Sequence, residues 1–183
     1  GFDDLALVAD QVVEKHELGA RGQPEQQNGD GDPDLVIVKK EGIDPGKIFF
    51  VGNLMIESLI RILPRLSDST ILDDLNVQSG QYVLVTLHRP SNVDREHALK
   101  PLMDVMAEIA KQARVIFPVH PRTRKQLDRF GIRHDDENFL LSEPVGYLDF
   151  IALEKNARLV ITDSGGIQEE TTYFQVPCIT VRE

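Results

Sequence analysis

Three short segments of the 183-residue sequence carry side chains that can hold an anion or move a proton: His88-Arg89-Pro90-Ser91-Asn92, His120-Pro121-Arg122 and Asp163-Ser164-Gly165-Gly166. The last has the clearest mechanics. Two glycines let the backbone approach a ligand closely, and a helix beginning at Gly166 offers unpaired N–H groups and the positive end of its dipole. The Ser164 hydroxyl can donate one more hydrogen bond to a phosphate oxygen. Glu170 lies four residues beyond Gly166, one turn along on the same helical face, where a carboxylate could accept from both hydroxyls of a ribose. Phosphate at the helix start and sugar one turn along is a nucleotide geometry. The plainer alternative has Ser164 as an ordinary N-cap, with Glu169 and Glu170 facing solvent. His88 could bond a phosphate oxygen or act as a titrating acid or base, because an imidazole changes charge near neutral pH. Arg89 beside it would favour the neutral form through like-charge repulsion. His120 could bind an anion by the same reasoning, whereas His16, His97 and His134 fall in or near polar stretches and read as solvated surface residues.

Several other chemistries fail on spacing. The sequence has no G-x-x-x-x-G-K-[ST] phosphate loop and no G-x-G-x-x-G dinucleotide fingerprint. Thr162, not glycine, stands two residues before Ser164, which breaks the hydrolase elbow pattern. No histidine pair has helical metal-ligand spacing, and the single cysteine, Cys178, excludes an internal disulfide and a cysteine-based zinc site. A metal is not expected. A net charge of −10 argues against broad nucleic-acid binding, which needs clustered Lys and Arg. No apolar run approaches the ~20 residues that cross a bilayer, so the expected setting is a soluble cytoplasmic domain.

The elements that must position these segments are legible from Lys47 onward, where hydrophobic periodicity switches repeatedly between strand and helix. Strands are expected at 47–51, 82–87, 114–119, 138–141, 158–162 and 177–181. Helices are expected at 54–63 (mostly buried), 95–113, 121–130, 147–156 and 166–174. Tyr82 to Leu87 is almost continuously apolar, the pattern of a strand covered on both faces. Leu99, Leu102, Met103, Met106, Ile109 and Ala110 form one helical stripe. Gly131 marks a C-cap, and Pro118 a strand end or an exposed donor position. Strands alternating with helices imply right-handed crossovers and an α/β fold with a doubly wound parallel sheet. Ligands of such sheets bind beyond the carboxyl ends of the strands, and three strands end in the three polar segments. Residues 1–34 are different: nine acids and two bases give them −7 of the total charge. Residues 19–33 are rich in Gly, Pro and Gln and read as a disordered linker or exposed loop behind a short amphipathic helix near 5–18.

Five segments then stand in order: V-G-N-L-M-I-E-S-L (51–59), L-V-T-L-H-R-P-S-N-V-D (84–94), F-P-V-H-P-R-T-R (117–124), E-P-V-G-Y-L-D-F (143–150) and I-T-D-S-G-G-I-Q-E-E-T-T (161–172). Together they closely resemble the non-hydrolysing UDP-N-acetylglucosamine 2-epimerases, from about Lys39 to Glu183. The resemblance implies one Rossmann-like domain of a two-domain glycosyltransferase-B type architecture. It makes residues 35–183 the UDP-binding, C-terminal domain, incomplete at its end, behind the acidic leader 1–34. The implied reaction interconverts UDP-N-acetylglucosamine and UDP-N-acetylmannosamine, without metal or redox cofactor, by elimination of UDP and its re-addition with C2 inverted. By the same resemblance His88 is the active-site histidine near the pyrophosphate. Ser164, Gly165 and Gly166 hold the diphosphate, Glu170 the ribose, and Val145 and Phe150 border the uracil. Arg89 and His120 fall where some members bind a second, activating UDP-sugar. The family further implies a cytoplasmic homodimer in cell-surface polysaccharide biosynthesis.

Three departures qualify it. Glu57 stands where the family motif usually has Asp. The family's catalytic acids belong to its first domain, and a further phosphate-binding arginine belongs to a T-E-R-P segment beyond V-R-E, so the 183-residue chain is not expected to turn over by itself. A glycosyltransferase-B type sugar transferase domain and a non-catalytic UDP-binding module remain the alternatives.

Overall fold

The computed structural model describes residues 40–49, 52–133 and 136–182. The acidic leader with its expected helix and loop, and His16 and His134, lie outside the described residues. Helices and strands alternate along the rest: α1 (Leu54–Ile62), a 3-10 stretch (Leu63–Asp68), α2 (Ile71–Asp74), β1 (Tyr82–Thr86), α3 (Pro90–Val93), α4 (Glu96–Ala110), β2 (Arg114–Pro118), α5 (Pro121–Phe130), β3 (Phe139–Ser142), α6 (Tyr147–Asn156), β4 (Leu159–Thr162), α7 (Gly165–Phe174) and β5 (Cys178–Thr180). The five strands form one parallel sheet in the order β3-β2-β1-β4-β5. From β1 the chain steps outward through β2 to β3, then crosses back to β4 on the other side of β1. That reversal is the doubly wound pattern, and it places a topological switch point between β1 and β4.

The apolar alternation of the strands explains the two layers. Val83, Val85, Val115, Phe117, Leu159 and Ile161 point to one face, where they pack with Leu99, Met103, Met106 and Ala110 of α4 and Leu127 of α5. Tyr82, Leu84, Ile116 and Val160 point to the other, against Ile71 of α2 and Ala152 and Leu153 of α6. With both faces covered, no strand position can be polar without cost, which is why the strands read as continuous apolar runs. Tyr82 resolves its own polar end by donating its hydroxyl to the Leu153 carbonyl at 2.6 Å, and burial pushes that phenol well above its usual range. α5 ends as its sequence dictates, with Gly131 in the left-handed region at φ 64°.

Two expectations need correction, and the structure adds one element. Lys47 closes a 3-10 turn at Pro45–Lys47, and Ile48 and Phe49 lie outside the strands; Phe50 and Val51 are not among the described residues. Phe49 is 77% exposed, so the strand propensity of this run finds no sheet edge to bury it against. α1 is not mostly buried: Leu59 is, whereas Leu54, Met55 and Ile60 are exposed. Apolar on nearly every side, α1 meets the domain along one stripe only. The expected helix over 95–113 is preceded by a separate turn, α3, which Pro90 starts at its first position. Leu84 is wholly buried in the central strand, beside Ile116 and Val160. Leu84→Ala is expected to lower unfolding free energy by about 2–5 kcal/mol in urea denaturation; a loss under ~1 kcal/mol would contradict the packing described.

Candidate functional site

The parallel pairing of β1 with β4 runs to Thr86 opposite Thr162, whose hydroxyls meet at 2.8 Å. The chain therefore leaves both strands side by side, and the next residues out are Leu87-His88 and Asp163-Ser164. Asp163 is completely buried and accepts from several donors at once. Its Oδ2 takes the backbone N–H of Arg89 at 2.8 Å, that of His88 at 3.0 Å and the Asn92 side-chain amide at 3.0 Å. Its Oδ1 lies 3.0 Å from Nδ1 of His88, whose side chain is 45% exposed. A carboxylate there makes Nδ1 the protonated ring nitrogen and leaves Nε2 to exchange a proton or bind an anion. The sequence reading set Arg89 against His88. The structure instead gives the imidazole a carboxylate partner and turns the Arg89 Nε onto the Asp163 carbonyl at 2.6 Å.

Across the switch point, α7 starts at Gly165 with Ser164 as N-cap in extended backbone. The Ser164 hydroxyl makes no capping bond, so Ser164 caps α7 by position and not through its side chain. The first N–H groups of a ten-residue helix are thus left without a side-chain acceptor. A Cβ on Gly165 would come within 3.3 Å of the Arg182 guanidinium, and one on Gly166 within 2.4 Å of the Met55 methyl. The start of α7 thus lies close to a cation at Gly165 and to the Met55 side chain of α1 at Gly166. A guanidinium set against the positive end of a helix dipole is unfavourable unless an anion lies between them. α1 is held to this helix by Asn53, which caps α1 through Oδ1 and donates its amide to Glu169 at 2.6 Å. Asn53, Ile56, Gly165, Gln168 and Arg182 help line an open groove of about 580 Å³ along α7.

Glu169 is exposed, but Glu170 is buried and its Oε1 accepts the Tyr147 hydroxyl at 3.0 Å. Burial, then the Glu170 charge, pushes the Tyr147 phenol up to about 12. Val145 and Phe150 sit half-buried in the same packed layer as Ile167 of α7. His120, after β2, brings its ring to 5.9 Å from that of His88. Its Nδ1 accepts the Arg122 N–H as the N-cap of α5, and the Arg122 guanidinium is engaged by Asp94. That contact holds the Asp94 carboxyl below its usual range. The three polar segments do converge on one sheet edge, yet Arg122 is tied to a loop carboxylate rather than presented to a ligand. His97 is exposed, as its surroundings suggested.

Sequence reasoning missed four residues of this neighbourhood: Asp163, Tyr147, Arg182 and the buried Glu154 of α6. Asp163 stands in the segment Asp163-Ser164-Gly165-Gly166, where the pattern gives a role only to the serine and the two glycines. Tyr147 and Glu154, seven residues apart, share a helical face with Ile151, a spacing that could have flagged them. Among the described residues no three His, Cys, Asp or Glu side chains are grouped so as to hold a metal ion. Asp163→Ala removes the acceptor of two backbone N–H groups at about 1–3 kcal/mol each. It is expected to cost about 2–6 kcal/mol in denaturation and to lose the Nδ1–H tautomer of His88 in ¹⁵N spectra; an unchanged tautomer would show that Asp163 does not set it.

Comparisons with known proteins bear on the family and the fold. The family profile described as UDP-N-acetylglucosamine 2-epimerase matches residues 36–183. The UDP-N-acetylglucosamine 2-epimerase of Methanococcus maripaludis is 42% identical over 154 residues, covering 80% of this chain and 42% of that one. The UDP-2,3-diacetamido-2,3-dideoxy-D-glucuronate 2-epimerase of Pseudomonas aeruginosa is 37% identical over 149 residues, 80% of this chain and 40% of that one. Among solved structures, the Methanocaldococcus jannaschii UDP-GlcNAc 2-epimerase in complex with UDP-GlcNAc and UDP superposes with a TM-score of 0.73 at 39% identity. It covers 81% of this chain and 43% of that one. The chain thus spans about 42% of the length of the curated relatives it matches. Fold, motifs and matched span lead to one assignment: the chain belongs to the UDP-N-acetylglucosamine 2-epimerase family.

Proposed function

We propose that this chain is the UDP-binding domain of an enzyme that interconverts UDP-N-acetylglucosamine and UDP-N-acetylmannosamine, and that it holds the nucleotide at the ends of β1 and β4. The observation that carries the reading is the Thr86–Thr162 register, which sets His88 on the Asp163 carboxylate beside the uncapped start of α7. UDP is the moiety common to the substrates that the three relatives' names print, and one of them was solved with UDP bound. In this reading Ser164, Gly165 and Gly166 take the diphosphate through the hydroxyl and the helix N–H groups, with Arg182 closing on the same charge. Glu170 accepts the ribose hydroxyls, and Val145 and Phe150 border the uracil. Arg89 and His120 flank His88 and are proposed to meet a second UDP-sugar. With Arg89 Nε and His120 Nδ1 already engaged, that ligand would use the terminal guanidinium nitrogens and His120 Nε2.

The chemistry asks two things of the protein. A base takes the proton from C2 of the sugar while the C1–O bond breaks, and the electron pair leaves with the diphosphate, giving 2-acetamidoglucal. Re-addition then returns a diphosphate oxygen to C1 and a proton to the opposite face of C2. This chain's residues answer the second half of that demand. Donors fixed before the reaction stabilise charge as it develops on the departing diphosphate, with no reorganisation at the moment of bond breaking. His88 Nε2, oriented through Nδ1 by Asp163, supplies the group able to give or take a proton there. The acids that exchange the C2 proton are assigned to the family's first domain. Residues 1–34 are assigned as a leader outside the UDP-binding unit, and the whole protein as a cytoplasmic homodimer. Among the described residues no helix is long and apolar enough to cross a membrane.

Titrating UDP into the chain is expected to shift the amides of Gly165, Gly166 and Glu170, with no turnover of UDP-N-acetylglucosamine. Shifts confined elsewhere, or none at millimolar UDP, would defeat the site, and turnover would defeat the division of labour between domains. In the full-length protein His88→Ala is expected to abolish epimerisation while leaving UDP bound, measured by product formation and by titration; retained activity would remove His88 from the mechanism.

A further inference from the structure

Helix α6 carries a carboxyl group where its spacing calls for an apolar side chain. Glu154 follows Ile151 by three residues and Tyr147 by seven, which puts it on the inward face, and it is 0% exposed. Neither of its oxygens receives a hydrogen bond from any donor among the described residues. An ionised carboxylate in that position would be a desolvated charge with nothing to stabilise it. What does lie within hydrogen-bonding reach is a second carboxyl, that of Glu170 on α7.

Two carboxylates in contact cannot both be charged, so one of them keeps a proton. Burial and bonding decide which. Burial raises the Glu170 carboxyl too, but Glu170 is 6% exposed and already accepts the Tyr147 hydroxyl at 3.0 Å, a bond that opposes that rise and favours its charged form. Glu154 is the more deeply buried and has no donor. Among the described residues, the other titratable groups found acting on the pair are Tyr147 on the same helix, Glu169 on α7 and the Cys178 thiol on β5, and none of these is a cation. Burial first, and the Glu170 charge second, push the Glu154 carboxyl far above its ordinary 4.5.

We propose that Glu154 is a neutral acid that donates its O–H to the Glu170 carboxylate and thereby acts as a positioning residue for the nucleotide's ribose. The role given to Glu170 rests on the function proposed above; the proton on Glu154 does not. With Tyr147 on one oxygen and Glu154 as a second donor, the Glu170 carboxylate cannot rotate, and its remaining lone pairs keep one direction for the ribose diol. The sign of the pH dependence follows. The fold favours the protonated form, so the stabilisation is complete below the ordinary carboxyl value. It falls as pH rises toward the raised folded value, where ionisation sets two charges side by side.

Difference infrared spectra of the ligand-free chain are expected to show a buried carboxylic-acid carbonyl band at pH 7 that Glu154→Gln removes. No acid band at pH 7, or one that persists in Glu154→Gln, would overturn the proposal. The positioning role is read from the preference for UDP over 2′,3′-dideoxyuridine diphosphate, which cancels the titration of the phosphates. Glu154→Gln keeps a donor and is expected to hold that preference within about twofold at all pH values. Glu154→Leu, of similar bulk but without a donor, is expected to lose it about tenfold, the size of one hydrogen bond to a charged group. In the wild type it should fall as alkali ionises Glu154. A preference undiminished in Glu154→Leu would overturn the positioning role. A wild type that binds UDP no better than the dideoxy analogue would instead remove Glu170 from the ribose, and with it that role, while the infrared band would still decide where the proton sits.

Discussion

The carboxylate of Asp163 is where the fold and the candidate site become one object. It is buried at the switch point of a doubly wound sheet, and it reaches from the end of β4 to the backbone N–H groups at the end of β1. Such N–H groups, just past a buried strand, would otherwise have no partner in the ladder, and leaving them unpaired is costly. Satisfying them with a side chain from the neighbouring strand locks the two exits together. The same carboxylate then has one oxygen within 3.0 Å of the His88 ring, so the bond that closes the sheet edge also fixes the imidazole. The site is therefore rigid because the sheet is rigid.

Around this junction the electrostatics are arranged for something not carried by the chain itself. The positive end of α7 meets the Arg182 guanidinium at Gly165, whereas Asp163 at the end of β4 spends both its oxygens on the His88 ring, on backbone N–H groups and on the Asn92 amide. Positive ends facing positive ends cost energy unless an anion sits among them. One helical turn away the sign reverses, with Glu170 and Glu154 sharing one buried space. A ligand that is anionic at one end and rich in hydroxyl donors at the other satisfies both halves, and a nucleoside diphosphate has that polarity. An isolated phosphate would satisfy only the first.

The framework was legible because it follows from short-range rules. The runs from Tyr82 to Thr86 and from Leu159 to Thr162 are apolar because both sheet faces are covered, and α5 was bounded by Pro121 and Gly131. The convergence of the strand ends followed from parallel topology alone. What sequence could not supply were facts about partners far apart in the chain. Nothing local says that the Arg182 side chain folds back over Gly165, or that Asn53 reaches Glu169 across 116 positions. The 47–51 run failed for the complementary reason: β-propensity describes a residue's fitness for a sheet edge, not whether an edge is there. Helix α1 failed likewise, since apolar periodicity marks surface that can be buried, while the neighbour that buries it lies elsewhere.

Glu154 tests how far that reasoning extends. A lone acid on an inward helical face reads as an error of pattern, and an isolated substitution scale would price it as one. It becomes intelligible only beside Glu170, because a carboxylic acid kept neutral is a hydrogen-bond donor and a carboxylate is the strongest acceptor available to it. The pair is thus better satisfied than either member alone, provided that only one proton is lost. An amide at 154 could donate to Glu170, but it brings an oxygen as well, and that oxygen would need a donor of its own in the same closed space. The hydroxyl of Ser or Thr stands two bonds nearer the backbone than a glutamate oxygen. Among the common side chains, an acid held in its neutral form is the one whose donor reaches Glu170 and whose second oxygen asks least of a pocket with no donors to spare.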